Sequence, residues 1–152
     1  MSKHDPNSRQ VGGDHYSGEY QHWDFATDLR MRHLEGAATK YLARAGNKAG
    51  EPRDKDLEKA LHYLEKLLHL LQERRIKPLA VMQSTGAAPV VARFIASSMR
   101  GAAFTPRIVA ALVLLSNWAT EDALVSAIDY VRAELGIAIR PDMPAIVIKP
   151  LA

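Results

Sequence analysis

The chain has 152 residues, 47% of them hydrophobic, no cysteine, and 20 lysines and arginines against 17 aspartates and glutamates, a formal charge of +3. This is ample apolar material for one core, in a single domain or a domain with a helical appendage, while the lack of cysteine excludes disulfides, thiol catalysis and cysteine-based zinc or iron–sulfur sites. The small basic excess is shared by both halves, so the marked basic face of a nucleic-acid binder is not expected. The longest apolar stretch, Ile108 to Leu115, is eight residues, against the roughly 20 that span a bilayer.

In chain order, residues 1–13 are polar and carry Pro6, Gly12 and Gly13, which predicts a flexible arm. They hold no apolar run of the kind a secretion signal needs, so a soluble protein of the cytoplasm is expected. His15 and Tyr16 follow outside any periodic run, and composition alone places them on a surface turn. Between Gln21 and Met31, the spacing of Trp23, Ala26 and Leu29 predicts a short helix with Asp24 and Asp28 on a neighbouring stripe. Two carboxylates one turn apart suit a magnesium ion, with Glu35 able to join from the next helix, although solvent-facing charges are the commoner outcome.

A stronger pattern runs from Glu35 to Arg75. Leu34, Ala38, Tyr41, Leu42 and Ala45 recur at helical spacing and predict a buried stripe, leaving Gly36, Lys40 and Arg44 on another face. Gly46 stands where helices commonly end in a left-handed residue. A basic loop with Asn47, Lys48, Arg53 and Lys55 follows. Asp54 is the expected N-cap of a second helix, with Asp56 in its first turn. Leu57, Leu61, Leu64, Leu68 and Leu71, widened by Ala60, Leu67 and Leu70, form its apolar stripe. Asp56, Lys59, Tyr63 and Lys66 share a different face. Helix, basic loop and helix would thus bring amides and cations to one spot suited to a phosphate. His62 and His69 are seven positions apart on this helix, about 10 Å by its rise, too far to share a metal. Helix-surface pairing with Glu58 and Glu65 is the simpler expectation.

These residues carry a resemblance. His15-Tyr16, Gly36, Lys40-Tyr41, Arg44-Ala45-Gly46, Lys48, Asp56-Leu57, Lys59-Ala60 and Tyr63 resemble the signature of a family of small phage-encoded proteins. That family was long known only as a domain of unknown function, and it includes a phage kinase of deoxynucleoside monophosphates. The likeness covers residues 14–72. It implies a mainly helical, oligomeric nucleotide-handling module of a phage, hence of the host cytoplasm, without the usual kinase phosphate loop. Carried over by position, it marks His15, Asp56 and Lys59 as catalytic candidates. Tyr16, Lys40, Arg44, Lys48 and Tyr63 become candidates for holding substrate and phosphate, and Arg53 joins them from the basic loop. Two positions depart from the family pattern: Ala37 stands where Asn is usual, and Asn47 where a second Lys is frequent. The first departure leans toward binding without turnover.

Past Gln72, residues 78–89 with Ser84, Thr85, Gly86 and Pro89 read as a linker between the module at 14–77 and a C-terminal helical region at 90–136. Val90, Val91, Phe94, Ile95, Ser98 and Met99 fit a helix ended by Gly101. Thr105-Pro106 is a good opening for the next, whose Ile108 to Trp118 run is apolar nearly all round and predicts burial. Thr120 is the expected cap of a last helix with Leu124, Ile128, Val131 and Leu135 on one stripe, ended by Gly136. Residues 137–152, with Pro141, Pro144 and Pro150, read as an extended tail. Arg93, Arg100 and Arg107 recur at sevens, but Gly101 and Pro106 interrupt any ridge they would form.

The expected fold is therefore all-α, a bundle of about six helices with a loop-rich N-terminal arm and a short extended C-terminal tail. No P-loop, dinucleotide-binding turn or Gly-x-Ser-x-Gly elbow is present, and the paired Glu-x-x-Glu helices of a metal-dependent nucleotide pyrophosphohydrolase are missing. The leading expectation is a nucleoside-monophosphate kinase that draws phosphate from ATP or another nucleoside triphosphate, with magnesium allowed but no protein metal site called for. Its partners would be a nucleotide and further copies of itself, with no membrane and no nucleic acid. The alternatives are a module that sequesters a nucleotide, such as a host-defence signalling nucleotide, and a structural oligomer whose cations are plain surface.

Overall fold

The computed structural model describes residues 20–47, 50–84, 86–98 and 104–137, together with Pro6. Its elements are α1 (His22–Asp28), α2 (His33–Arg44), α3 (Arg53–Gln72), a 3-10 turn (Leu79–Met82), α4 (Ala88–Ser98), α5 (Pro106–Ser116) and α6 (Glu121–Glu134). The protein is all-helical among these residues, and none of its described helices is long and apolar enough to cross a membrane. Residues 138–152 of the tail and most of the arm, with His15, Tyr16 and Lys48, lie outside the described residues.

Four helices close a ring: α2 packs on α3 and α5, α3 on α6, and α6 back on α5. The leucine stripe of α3 drives this, because Leu57, Leu64 and Leu67 lose all or nearly all of their exposure against Ala38 and Leu42 of α2, Leu112 of α5 and Leu124 and Ile128 of α6. Each such leucine contributes about 1.5–3 kcal/mol on burial. Both expected threonine caps form, Thr105 Oγ1 accepting from Ile108 N at 3.3 Å and Thr120 Oγ1 from Ala123 N at 3.1 Å. The α3 cap differs from expectation. Pro52, in extended backbone, takes that place, and Asp54 and Asp56 both fall inside the first turn, where the helix dipole favours them without a capping bond.

A smaller second cluster joins α1 to α4. Phe25 is fully buried and stacks on Phe94 at 4.3 Å, whereas Trp23 is half exposed. The stripe expected from Trp23, Ala26 and Leu29 is thus rotated: the i, i+4 pair Phe25 and Leu29 faces inward, because α4 supplies the aromatic partner there. Asp24 and Asp28 have structural tasks, Asp24 Oδ2 accepting from Gln21 N and Asp28 Oδ2 from the Tyr20 hydroxyl. Glu35 does not join them. It is fully buried, takes two hydrogen bonds from the Arg32 guanidinium and accepts from Trp118 Nε1 at 2.8 Å.

The segment expected as a linker is packed. Leu79 is fully buried, Ala80 N donates to Trp118 O, and the Gln83 amide donates to both Leu29 O at 2.8 Å and Ser116 O at 2.7 Å. One core accordingly draws on helices from both sides of it.

Candidate functional site

The α2–α3 pair presents an aromatic and cationic face centred on Tyr41. Lys40 Nζ lies 4.6 Å from the Tyr41 ring centroid, Arg44 Cζ 4.7 Å and Lys59 Nζ, from α3, 5.2 Å. Cations at this range are attracted to the ring quadrupole by about 0.5–1 kcal/mol each at partly exposed sites, which offsets part of their mutual repulsion. Tyr63 lies parallel to Tyr41, with centroids 5.9 Å apart and planes at 11°, and His33 stands edge-on to Tyr63 at 6.0 Å. Local spacing explains the arrangement: Lys40, Tyr41 and Arg44 adjoin on α2, Lys59 and Tyr63 are one turn apart on α3, and the antiparallel contact of the two helices does the rest.

Asp56 orients this face from beneath. Its side chain is fully buried and that of Arg44 only 9% exposed. The two form a forked pair, Arg44 Nη2 to Oδ1 at 2.6 Å and Nε to Oδ2 at 3.3 Å. Such a pair sets the plane of the guanidinium as well as its place. Asp56 is thereby a positioning group for Arg44 and does not line an open face with Lys59, Tyr63 and Lys66.

The remaining candidates divide. Lys59 donates to Glu51 Oε1 at 3.0 Å, and Lys55 lies 3.8 Å from the same oxygen. Arg53 turns away from the group: its guanidinium pairs with Glu134 of α6, which also accepts from Thr105 Oγ1 at 2.7 Å and lies 3.8 Å from Arg107. It is a brace between helix ends. Arg93 packs over the Tyr20 ring, so no ridge with Arg107 forms; Arg100 lies outside the described residues. His69 pairs forward with Glu73 at 3.2 Å, and not back to Glu65 as its helical spacing suggested.

Three nearby residues escaped the sequence reading. Glu51 carried a signal in its i, i+4 spacing to Lys55. His33 carried none, since its contact to Tyr63 spans two helices. His22 sits among Phe25, Phe94 and Thr39, with Nε2 2.8 Å from Thr39 Oγ1. Burial, and then the charge of Lys40, push its pKa down to about 4, so the ring is neutral near pH 7. Among the described residues no group of three or more histidines, aspartates or glutamates is placed to hold a metal ion.

Comparison with protein-family models, with curated proteins and with solved structures found no match for this chain. The likeness of residues 14–72 to the phage family rests on the motif residues alone.

Proposed function

We propose that this chain binds a nucleotide with the phosphate end on the Tyr41-centred face, and that it acts as a nucleoside-monophosphate kinase without a P-loop. The observation that carries the reading is the convergence of Lys40, Arg44 and Lys59 on one ring from two helices. Cations held in place by a ring and by a buried carboxylate lose little freedom when an anion arrives, and that preorganisation is what phosphate binding requires. Tyr63 and the exposed His33 edge extend the face with aromatic surface on which a base can stack.

In the proposed reaction an oxygen of the acceptor monophosphate attacks the terminal phosphorus of a nucleoside triphosphate. The bond from that phosphorus to the bridging oxygen breaks, and a nucleoside diphosphate leaves. Phosphoryl transfer asks mainly for alignment and neutralised charge, which Lys40, Arg44 and Lys59 supply. The resemblance adds His15, Tyr16 and Lys48 as further ligand contacts and implies a homo-oligomer. Magnesium, on this reading, enters with the triphosphate, as it usually does when bound through substrate phosphates. Purified protein given each deoxynucleoside monophosphate with ATP should form the diphosphate, and Lys40→Ala with Lys59→Ala should abolish this. Absence of binding by all the monophosphates in calorimetry refutes it.

A second reading, sequestration of a nucleotide without turnover, is favoured by one feature: both oxygens of Asp56 accept from Arg44, which leaves that carboxylate a positioning role and not a proton-accepting one. Mass analysis of ligand recovered after incubation separates the two, since a binder returns it unaltered.

A further inference from the structure

Glu51 has no part in the reading above, yet it sits against one of the three converging cations. It stands just before the Pro52 that opens α3, in the turn from α2, with its side chain only 18% exposed. An acid near a helix start is favoured by the dipole and by a lysine four residues on. Lys55 occupies that fourth position at 3.8 Å, but the closer bond, 3.0 Å, goes to Lys59 two turns into the helix. Lys59 is also the α3 cation over Tyr41. A carboxylate of the protein therefore holds the place beside Lys59 that a ligand phosphate would take. Gly50 before it has φ +77°, so Glu51 leaves a left-handed turn ahead of α3 and is not part of the helix itself.

We infer that Glu51 is a resident anion of this face that an incoming phosphate displaces from Lys59, so that it lowers the affinity of every phosphate that reaches this cation and leaves a net gain only to one that binds Lys59 more strongly than the carboxylate does. The inference rests on the nucleotide-binding reading. A singly charged phosphate diester replaces one negative charge at Lys59 by another and gains little. A doubly charged phosphate monoester replaces the carboxylate by a stronger anion with three acceptor oxygens.

The test is calorimetry on the full chain at about pH 8, where the second ionisation of a phosphate monoester, near pH 6, is complete. Wild type and Glu51→Gln are each titrated with a nucleoside 5′-monophosphate and with the 3′,5′-cyclic monophosphate of the same base, for each common base. Wild type should prefer the monoester. Glu51→Gln should raise affinity for both esters by about fivefold, the scale of one partly exposed ion pair, because each is then spared the same displacement. A thermal melt of the variant shows that the fold is kept. Unchanged affinity of Glu51→Gln for both esters, or equal binding of both esters by wild type, overturns the inference and leaves nucleotide binding standing. If neither ester binds either protein, the nucleotide reading falls and takes the inference with it.

Discussion

Asp56→Asn removes a charge from the fully buried end of the Arg44 pair while keeping the shape of the side chain, and it leaves a guanidinium only 9% exposed facing a neutral amide. Breaking a buried pair by altering one partner costs about 3–5 kcal/mol, because the remaining charge is neither solvated nor balanced. Against the 5–15 kcal/mol typical of a whole domain, that is a large fraction, and at about 2–4 °C per kcal/mol for a chain of this size the melting temperature should fall by roughly 6–20 °C. The assay is urea unfolding followed by far-ultraviolet circular dichroism, with the midpoint expected to move and the slope to hold. The companion variant Arg44→Met with Asp56→Leu removes both charges and should recover most of the loss, since apolar replacements for buried pairs are often neutral or better. On the proposed reading it should nonetheless bind nucleotide more weakly, having lost the Arg44 charge over Tyr41. A cost under about 1 kcal/mol for Asp56→Asn, the usual range for a solvated surface pair, would refute the claim that this carboxylate anchors the site from below.

Thr120→Ala removes the hydroxyl that accepts from Ala123 N and should cost about 1 kcal/mol in denaturant unfolding, as capping threonines do. Trp118→Phe deletes the indole donor to fully buried Glu35, whose Oε2 then keeps only the Arg32 guanidinium; losing this one bond should cost about 1–3 kcal/mol by the same measurement. The folded pKa of His22, about 4, lies below its ordinary 6.5, so between these values the unfolded chain binds the extra proton. The stability it contributes is present above about pH 6.5 and lost as pH falls toward about 4. His22→Phe should flatten that part of a stability-against-pH curve.

The helices themselves were legible from the chain because their signals are local. The α3 leucines repeat at three and four over its whole length, and Thr105-Pro106 and Thr120 carry their own hydrogen-bond acceptors, so burial and capping came out where spacing put them. Lys40 and Arg44 were readable as neighbours on one face of α2, but their meeting with Lys59 over Tyr41 was not, since spacing put Tyr41 on the buried stripe and the cations were expected to gather at the loop.

What only the tertiary structure decided is the fate of side chains whose partner lies far along the chain. Periodicity in α1 admits two inward faces, and Phe94, 69 positions after Phe25, chose between them. Asp56 and Glu35 look like solvated charges in sequence, yet both are fully buried because Arg44 and the Arg32–Trp118 pair meet them there. Arg53 reads as a member of the basic loop until Glu134 of α6 draws it off, and Gln83 looks like linker until two carbonyls from distant turns claim its amide. An apolar stripe is specified by spacing within one helix, whereas a polar group goes to whichever distant partner removes the cost of its burial, and only the packed chain says which partner that is.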